Sequence, residues 1–376
     1  MKKLCLVVCL ILSLSILTSC AKKNPNPTPT PTPPITITPT SPITITPTPT
    51  PTITTTPPPS GTSSSISSYF SYKPNIKYVF EGKGNEYAAY TVFVDYIVGT
   101  KVQLRIDNGG TETVKVMENK NGKLSVILSK SEVYYRENLT NSSIGSPEII
   151  LKEPLVKGTT WTLPDKSKRF ISNVDVKIKT KLGTYKTIEV TTKNKSGKIL
   201  DYYAPNVGLV KSAFLLNGKE EVSSTLAKMG ANIPLVQTVQ FYYPNTNLDK
   251  VYYIGKKLSF KTNDITKIVF EKAFKALPAG KNLARVLTPN AKIKSLYLNK
   301  DNAVYVDFSK EFLTEMNAGS GYESLILKSI TNTLGVYYGV NKVHITVEGK
   351  PYASGHIELK KGEFFKVDLK NTFQLK

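Results

Sequence analysis

From residue 67 to residue 228 a turn signal recurs roughly every 8–15 residues, and that spacing is what most limits the fold. The signals are Asn108-Gly109-Gly110, Asn119-Lys120-Asn121-Gly122, Leu182-Gly183, Lys195-Ser196-Gly197 and Asn217-Gly218. Asn and Gly tolerate the positive φ that tight hairpin turns require. Between the signals lie runs rich in Val, Ile, Tyr and Thr, at 77–81, 87–98, 101–107, 112–118, 124–129, 133–135, 170–180, 185–192, 199–204 and 209–216. No amphipathic helical pattern interrupts them. The spacing predicts one β-rich domain over 67–228, an antiparallel meander closed or half closed as a barrel or sandwich. Trp161, the one Trp, follows a turn and is expected in its core.

The chain reaches this domain through two segments of different composition. Met1-Lys2-Lys3 is basic, and Leu4 to Leu17 is an apolar run too short for a comfortable membrane span. Leu17-Thr18-Ser19-Cys20 resembles a bacterial lipobox. The resemblance implies a lipoprotein signal peptide over 1–19, a lipidated Cys20, and a chain held on the extracytoplasmic face of the cell membrane. An anchor of two or more acyl chains, palmitate among them, holds far better than one myristoyl group. Residues 20–66 follow as a Thr/Pro-rich stalk, in which Ile-Thr-Ile-Thr-Pro-Thr occurs at 35–40 and again at 43–48. Proline at this density opposes helix and sheet and favours extended polyproline II. At ~3.1 Å per residue such a disordered spacer reaches on the order of 120 Å.

Beyond 228 the pattern changes. Met229 to Leu235 reads as a linker. The segment 236–358 is expected to be an α+β domain, a small sheet with two helices on one face, in the order β-β-α-β-β-α-β. Runs at 237–243 and 251–259 are its first strands. Asn263 or Asp264 is placed to cap a helix carrying Ile265, Ile268, Val269, Ala273 and Leu277 on one face. Tyr297 to Ser309 reads as two strands around an Asn-Lys-Asp-Asn turn. Ser320 and Glu323 have the spacing of a capping box, ahead of a stripe of Leu325, Ile326, Ile330, Thr333, Leu334 and Tyr337 that Gly339 ends. Val343, Ile345 and Val347 alternate with polar residues as in a half-buried strand. The tail, 359–376, carries a further hairpin between 357–360 and 364–369.

Three blocks carry a resemblance: Ala303-Val304-Tyr305-Val306-Asp307-Phe308-Ser309, Gly319-Ser320-Gly321-Tyr322-Glu323 with Ser329-Ile330-Thr331-Asn332-Thr333-Leu334, and Val343-His344-Ile345-Thr346-Val347-Glu348-Gly349-Lys350. In this order they resemble the GerMN domain, found in sporulation and spore-germination lipoproteins and related envelope proteins of Gram-positive bacteria. The resemblance covers roughly residues 236–358. It implies a non-catalytic part in sporulation or germination envelope assembly, through contact with other envelope or spore proteins or with further copies of itself. Asp307, Glu323, Asn332 and Gly349 are the motif positions and interaction candidates it marks. Separately, 155–161 and 203–211 resemble blocks of lipocalin-like β-domains of bacterial exported proteins.

Charge and chemistry narrow the alternatives. Lys and Arg number 50 against 28 Asp and Glu, a formal net charge of +22. The field favours polyanions, so an anionic wall polymer or a lipophilic ligand bound by the β-domain is the alternative reading. Nucleic acid is not expected as a partner of an exported chain. All three Cys fall by position 20, so no disulfide is expected within the mature chain. With two His, His344 and His356, neither a common zinc site nor a Ser-His-Asp triad is expected. Asp307 is the carboxylate best placed for chemistry, but a glycosidase needs a partnered acid at a set distance. No catalytic, cofactor or metal residue is assigned.

Overall fold

The computed structural model describes residues 65–245, 247, 249–277 and 282–375, and these all fall within one compact unit. Cys20, the lipobox residues Leu17, Thr18 and Ser19, and the stalk up to 64 lie outside the described residues.

A short helix, α1 (Ile66–Tyr69), precedes twelve strands: β1 (Ile76–Lys83), β2 (Tyr90–Val98), β3 (Lys101–Asp107), β4 (Glu112–Lys120), β5 (Lys123–Ser131), β6 (Glu148–Lys152), β7 (Thr160–Thr162), β8 (Lys168–Thr180), β9 (Gly183–Asn194), β10 (Gly197–Ala204), β11 (Gly208–Leu216) and β12 (Lys219–Ala231). They form one antiparallel sheet in the order β6-β5-β4-β3-β2-β1-β12-β11-β10-β9-β8-β7. Two runs of neighbouring hairpins thus join where β1 meets β12. Asn121 (φ 52°) with Gly122 (φ 65°), and Asn217 (φ 51°) with Gly218 (φ 83°), make turns with both central residues at positive φ, as the Asn-Gly signals predict.

The sheet curls into a nearly closed barrel. No ladder joins β6 to β7, and side chains bridge that seam instead. Trp161 Nε1 donates to the Ile149 carbonyl at 3.0 Å. Arg169 donates to the same carbonyl at 2.8 Å and to Glu148 at 2.9 Å. The prediction that Trp161 is core therefore holds, with its indole N–H also serving as a clasp. α1 lies across one end, where Ile66 N donates to Glu153 and Asn206 N to the Ser68 carbonyl.

The second part opens three residues after β12. Its elements are β13 (Leu235–Pro244), β14 (Val251–Phe260), α2 (Thr266–Lys275), β15 (Ile293–Leu298), β16 (Val304–Phe308), α3 (Glu311–Thr314), α4 (Ser320–Tyr338), β17 (Lys342–Val347), β18 (Lys350–Pro351), β19 (Phe365–Lys366) and β20 (Thr372–Gln374). The predicted order of strands and helices is found, with α3 added. The strands divide into two sheets: β13-β14-β20, and β15-β16-β17-β18 with β19 also on β17. β16 and β17 run parallel, joined through α4, as strands linked by a helix must.

Five expectations change. Residues 133–135 form no strand; they lie as coil against β3 and the second part of the chain. α2 buries Phe270 and Phe274, each at 0% exposure, and leaves Ile265 and Ile268 more than half exposed. Two buried Phe outweigh two Ile in apolar area, so they set the helix rotation. Neither Asn263 nor Asp264 caps α2. Asn263 accepts from Ile97 N at 2.8 Å, tying the β2–β3 turn, and Asp264 accepts from Lys261 N at 2.7 Å. Ser320 is the first residue of α4 rather than its cap, which is Gly319, so no capping box forms. The tail makes no hairpin with itself: β19 pairs antiparallel with β17 and β20 parallel with β14, stitching the two sheets together.

The barrel and the second part share an apolar core. Val114 of the barrel wall, with Val133 and Tyr135, packs in one cluster with Phe241, Phe260, Phe270 and Tyr338. That is why β2 and β3 carry runs of consecutive buried residues instead of alternating: both faces of the wall are covered there.

Candidate functional site

Of the four positions singled out in the C-terminal part, Glu323 and Asn332 are buried, Asp307 is half-buried and Gly349 is exposed, and the three side chains are all held by partners within the domain. Asp307, on β16, accepts from Thr346 Oγ1 at 2.7 Å and from Gly349 N at 2.8 Å. Glu348 (φ 51°) and Gly349 (φ 75°) form the turn between β17 and β18, so the Asp307 carboxylate fixes that turn rather than facing a substrate. The amide it holds is across the parallel pair, not in the turn before Glu311.

Glu323 is a buried carboxylate with three side-chain donors. Tyr352 Oη approaches at 2.7 Å, Ser354 Oγ at 2.6 Å and His356 Nδ1 at 2.9 Å. Its side chain is 3% exposed while that of His356 is 45% exposed. Burial alone would raise the Glu323 carboxyl. The hydroxyls of Ser354 and Tyr352 and the His356 ring outweigh that and hold it below its ordinary value. The cluster binds the 352–356 segment to the first turn of α4, whose positive end also favours a carboxylate. The His–Glu pair has the form of an oriented base, but among the described residues no serine, threonine or cysteine is bonded to its outer nitrogen.

Asn332 is fully buried in α4. Its Nδ2 donates to the Asp368 carbonyl at 2.7 Å and its Oδ1 accepts from Asp368 N at 2.9 Å. One side-chain amide thus pairs with the tail as a strand would, and leaves nothing for a partner.

What the domain presents outward is a row of rings. Tyr297 (β15), Tyr305 (β16) and His344 (β17) stack in sequence, with centroids 5.5 Å and 4.3 Å apart and planes within 12° and 21°. Phe364 adds an edge contact to His344 at 5.6 Å, and Lys342 lies over Phe364 at 4.7 Å. Period-2 alternation sends Tyr297, Tyr305, Lys342 and His344 to the face opposite the core. His344 was expected on the polar face, and it is there.

Edges of the sheets differ in availability. On β15, Ile293 N donates to Glu271 at 2.8 Å and Leu298 N to Glu137 at 3.2 Å, so carboxylates occupy amides at its outer edge. On β13, Tyr242 N is taken by Thr333 Oγ1 at 3.0 Å.

Sequence reasoning missed the seam between barrel and C-terminal domain. Asp95, Gln103 and Arg105 point out of the barrel wall and are buried beneath residues 133–139. Arg105 pairs with Asp95 at 3.1 Å and Glu112 at 2.6 Å. Arg136 donates to Tyr96 Oη at 2.9 Å and to the carbonyls of Asp95 at 2.8 Å, Lys261 at 3.0 Å and Asp264. Beside it runs a groove of about 360 Å³ lined by Tyr96, Ile97, Glu137, Ile265 and Leu296 among others. The signal in the sequence is a lone charge inside an apolar strand, as in Val92-Phe93-Val94-Asp95-Tyr96. Among the described residues, no three His, Cys, Asp or Glu gather closely enough to hold a metal ion.

Residues 240–353, which contain all four motif positions and the stacked rings of Tyr297, Tyr305 and His344, match the family model described as Germane, sporulation and spore germination. The C-terminal domain carries the Germane match. Among solved structures, the first GerMN domain of the sporulation protein GerM from Bacillus subtilis is 21% identical, covering 34% of this chain and 99% of that one, with a TM-score of 0.25. The tandem GerMN domains of GerM from Bacillus subtilis are 17% identical over 35% of this chain and 46% of that one, at 0.25. A protein with a YmcC-like fold from Bacteroides fragilis is 13% identical over 42% and 96%, at 0.29. No curated protein matches the chain. The matched stretch is joined to the barrel through a buried polar seam.

Proposed function

We propose that the chain is a membrane-anchored extracytoplasmic lipoprotein that acts, without catalysis, by protein–protein contact in the spore envelope during sporulation or germination. The observation that carries this reading is the Germane match over 240–353. The Leu17-Thr18-Ser19-Cys20 motif supports the anchor. The motif carboxylates support the absence of chemistry in another way: Asp307 and Glu323 are both occupied by donors of their own domain. The contact surface is the outer face of the five-stranded sheet, where Tyr297 is 41% exposed and lysines flank the rings. Aromatic rings beside cationic side chains are favoured at protein interfaces. Edge-to-edge pairing through β15 is not the route, because Glu137 and Glu271 hold its amides.

The test is a clean deletion in the host, read as heat-resistant spore count and then as germination rate of the survivors. A fall in heat-resistant spores supports a part in assembly. Normal counts with slow germination support a part in germination. Unchanged counts and unchanged germination would overturn the proposal.

A further inference from the structure

On the outer wall of the barrel three lysines stand directly opposite one another. Lys168 of β8 pairs in register with Lys193 of β9, and Lys193 with Lys198 of β10. Ile171 and Val190 also lie opposite each other and belong to the barrel core. Alternation from them sends Lys168, Lys193 and Lys198 to the outer face. All three are exposed. Neighbouring strands lie about 4.8 Å apart, so the three stems form a row about 10 Å long. Lys166 in the β7–β8 turn and Lys195 in the β9–β10 turn, also exposed, extend it. In the strand order β9 stands half-way round the sheet from β3, which leaves the row clear of the C-terminal part.

The fold does not gain from this row. Like charges directly opposite each other across a ladder destabilise a sheet. Among the described residues none of the three lysines makes an ion pair or a hydrogen bond, and Lys193 lies over the Phe170 ring at 5.4 Å. Carboxylates of the surrounding hairpins are held elsewhere. Asp165 accepts from Ser167, Glu189 accepts from Ser172, and Glu220 pairs with Lys211 at 2.7 Å.

A line of cations without acidic partners is complementary to a line of anions. Lysine meets a phosphate as a compact point charge with three donors. We propose that the row binds a linear phosphodiester polymer of the cell wall, with successive phosphates held by Lys168, Lys193 and Lys198. The place where the chain enters the barrel favours a wall polymer over the bilayer. Ser67 accepts from Asn119 beside the β4–β5 turn, and the Ser68 carbonyl accepts from Asn206 in the β10–β11 turn. Lys193 and Lys198 flank the β9–β10 turn, at the other end of the eight-residue strand β10. The two ends are about 25 Å apart. A chain held at the membrane by its N-terminal segment thus carries the row on the end of the barrel remote from its attachment. That choice of partner rests on the anchor proposed above; the row itself does not.

The test is fluorescence anisotropy of labelled poly(glycerol phosphate) titrated with the purified full chain in detergent. No membrane is present, so this binding can fail while the anchor and the contact function stand. The polymer is expected to bind at about 0.05 M salt and to weaken at least about tenfold at about 0.5 M. Free glycerol phosphate, which cannot span the row, should compete at least about a hundredfold less well per phosphate. The triple variant Lys168→Gln, Lys193→Gln, Lys198→Gln should bind at least about tenfold more weakly. Its urea midpoint should not fall, because the substitutions relieve repulsion. If it does fall, Lys193→Gln alone serves, with an expected loss of about threefold. Removing as many exposed lysines from the C-terminal part, as Lys257→Gln, Lys272→Gln, Lys300→Gln, should change binding by less than about twofold. Phosphatidylglycerol vesicles should displace the polymer at least about tenfold less well per phosphate, since a flat bilayer meets a convex wall at fewer lysines. The proposal is overturned by absence of binding at low salt, by binding that salt does not weaken, or by monomer or vesicles that compete as well as the polymer. It is equally overturned by folded row variants that bind as the wild type does, or by an equal loss in the control triple.

Discussion

Arg136 and Asp95 face each other at 3.5 Å, and neither side chain is exposed. The separation is too long for a hydrogen bond but within an ion pair. Asp95 stands on the barrel wall, and Arg136 on the segment wedged between barrel and Germane domain. The same carboxylate also meets Arg105 at 3.1 Å. Two guanidiniums can share it because their other N–H groups reach carbonyls and Tyr96. The seam is therefore a buried charged layer inside a shared apolar core.

Removing one member of such a layer leaves the others buried and uncompensated, at a cost of about 3–5 kcal/mol. Arg136→Met is expected to lower the urea midpoint. It is also expected to split unfolding into two transitions, with the Germane domain releasing first. Trp161 fluorescence reports on the barrel alone, since it is the one Trp, while circular dichroism reports on both parts. Coincident transitions at the wild-type midpoint would contradict this account.

Glu323 makes the Germane domain sensitive to acid. Its folded-state pKa lies below the ordinary 4.5. The carboxylate therefore contributes stability above the unfolded value, and that contribution is lost as pH falls through the lower folded value. Glu323→Gln keeps the shape but weakens three charge-assisted hydrogen bonds, at about 1.5–3 kcal/mol near neutral pH. Thermal melts of wild type and variant should differ most near neutral pH and converge below about pH 4 as the wild-type carboxylate protonates. A constant difference from pH 7 to pH 3 would mean the charge does not matter.

How far the fold was legible follows from which signals are local. Asn121-Gly122 and Asn217-Gly218 fix their own hairpins, so those turns could be read directly. β12 could not, because it begins Lys219-Glu220-Glu221 and continues through Ser223 and Ser224, with little apolar alternation until Leu226. It is a strand because β1 and β11 pair with it on both sides. α2 was turned the wrong way because Ile265 and Ile268 fit the helical spacing as well as Phe270 and Phe274 do, and only the partner sheet decides. The roles of Glu323 and Asn332 were hidden for the same reason. Their partners, Tyr352 and Asp368, lie 29 and 36 residues away, beyond any periodic pattern.

Asn332 holds the tail. Asn332→Ala removes both hydrogen bonds to Asp368 and leaves that backbone without its pairing, a loss of about 2–3 kcal/mol. The loss should be local, since β20 still pairs with β14. Trypsin is expected to cleave after Lys366 and Lys370 faster in the variant, while cleavage within the barrel is unchanged. Equal cleavage of the tail in both proteins would show that β19 and β20 suffice to hold it.

Gly349 tests the turn that Asp307 fixes. A Cβ added there meets nothing within 4 Å, so any cost of Gly349→Ala comes from the backbone at φ +75° and not from a clash. Left-handed conformations cost a residue with a side chain about 1–2 kcal/mol. Gly349→Asn should cost less, because Asn tolerates that region. Asp307→Asn weakens the bonds to Thr346 and to the Gly349 amide, by about 1 kcal/mol. Because both changes act on one turn, the double variant Asp307→Asn with Gly349→Ala should be less unstable than the sum of the two. Urea titrations of the four proteins measure this coupling. Strict additivity would mean that the carboxylate and the turn are independent, and that Asp307 is held on β16 for some purpose other than shaping the β17–β18 hairpin.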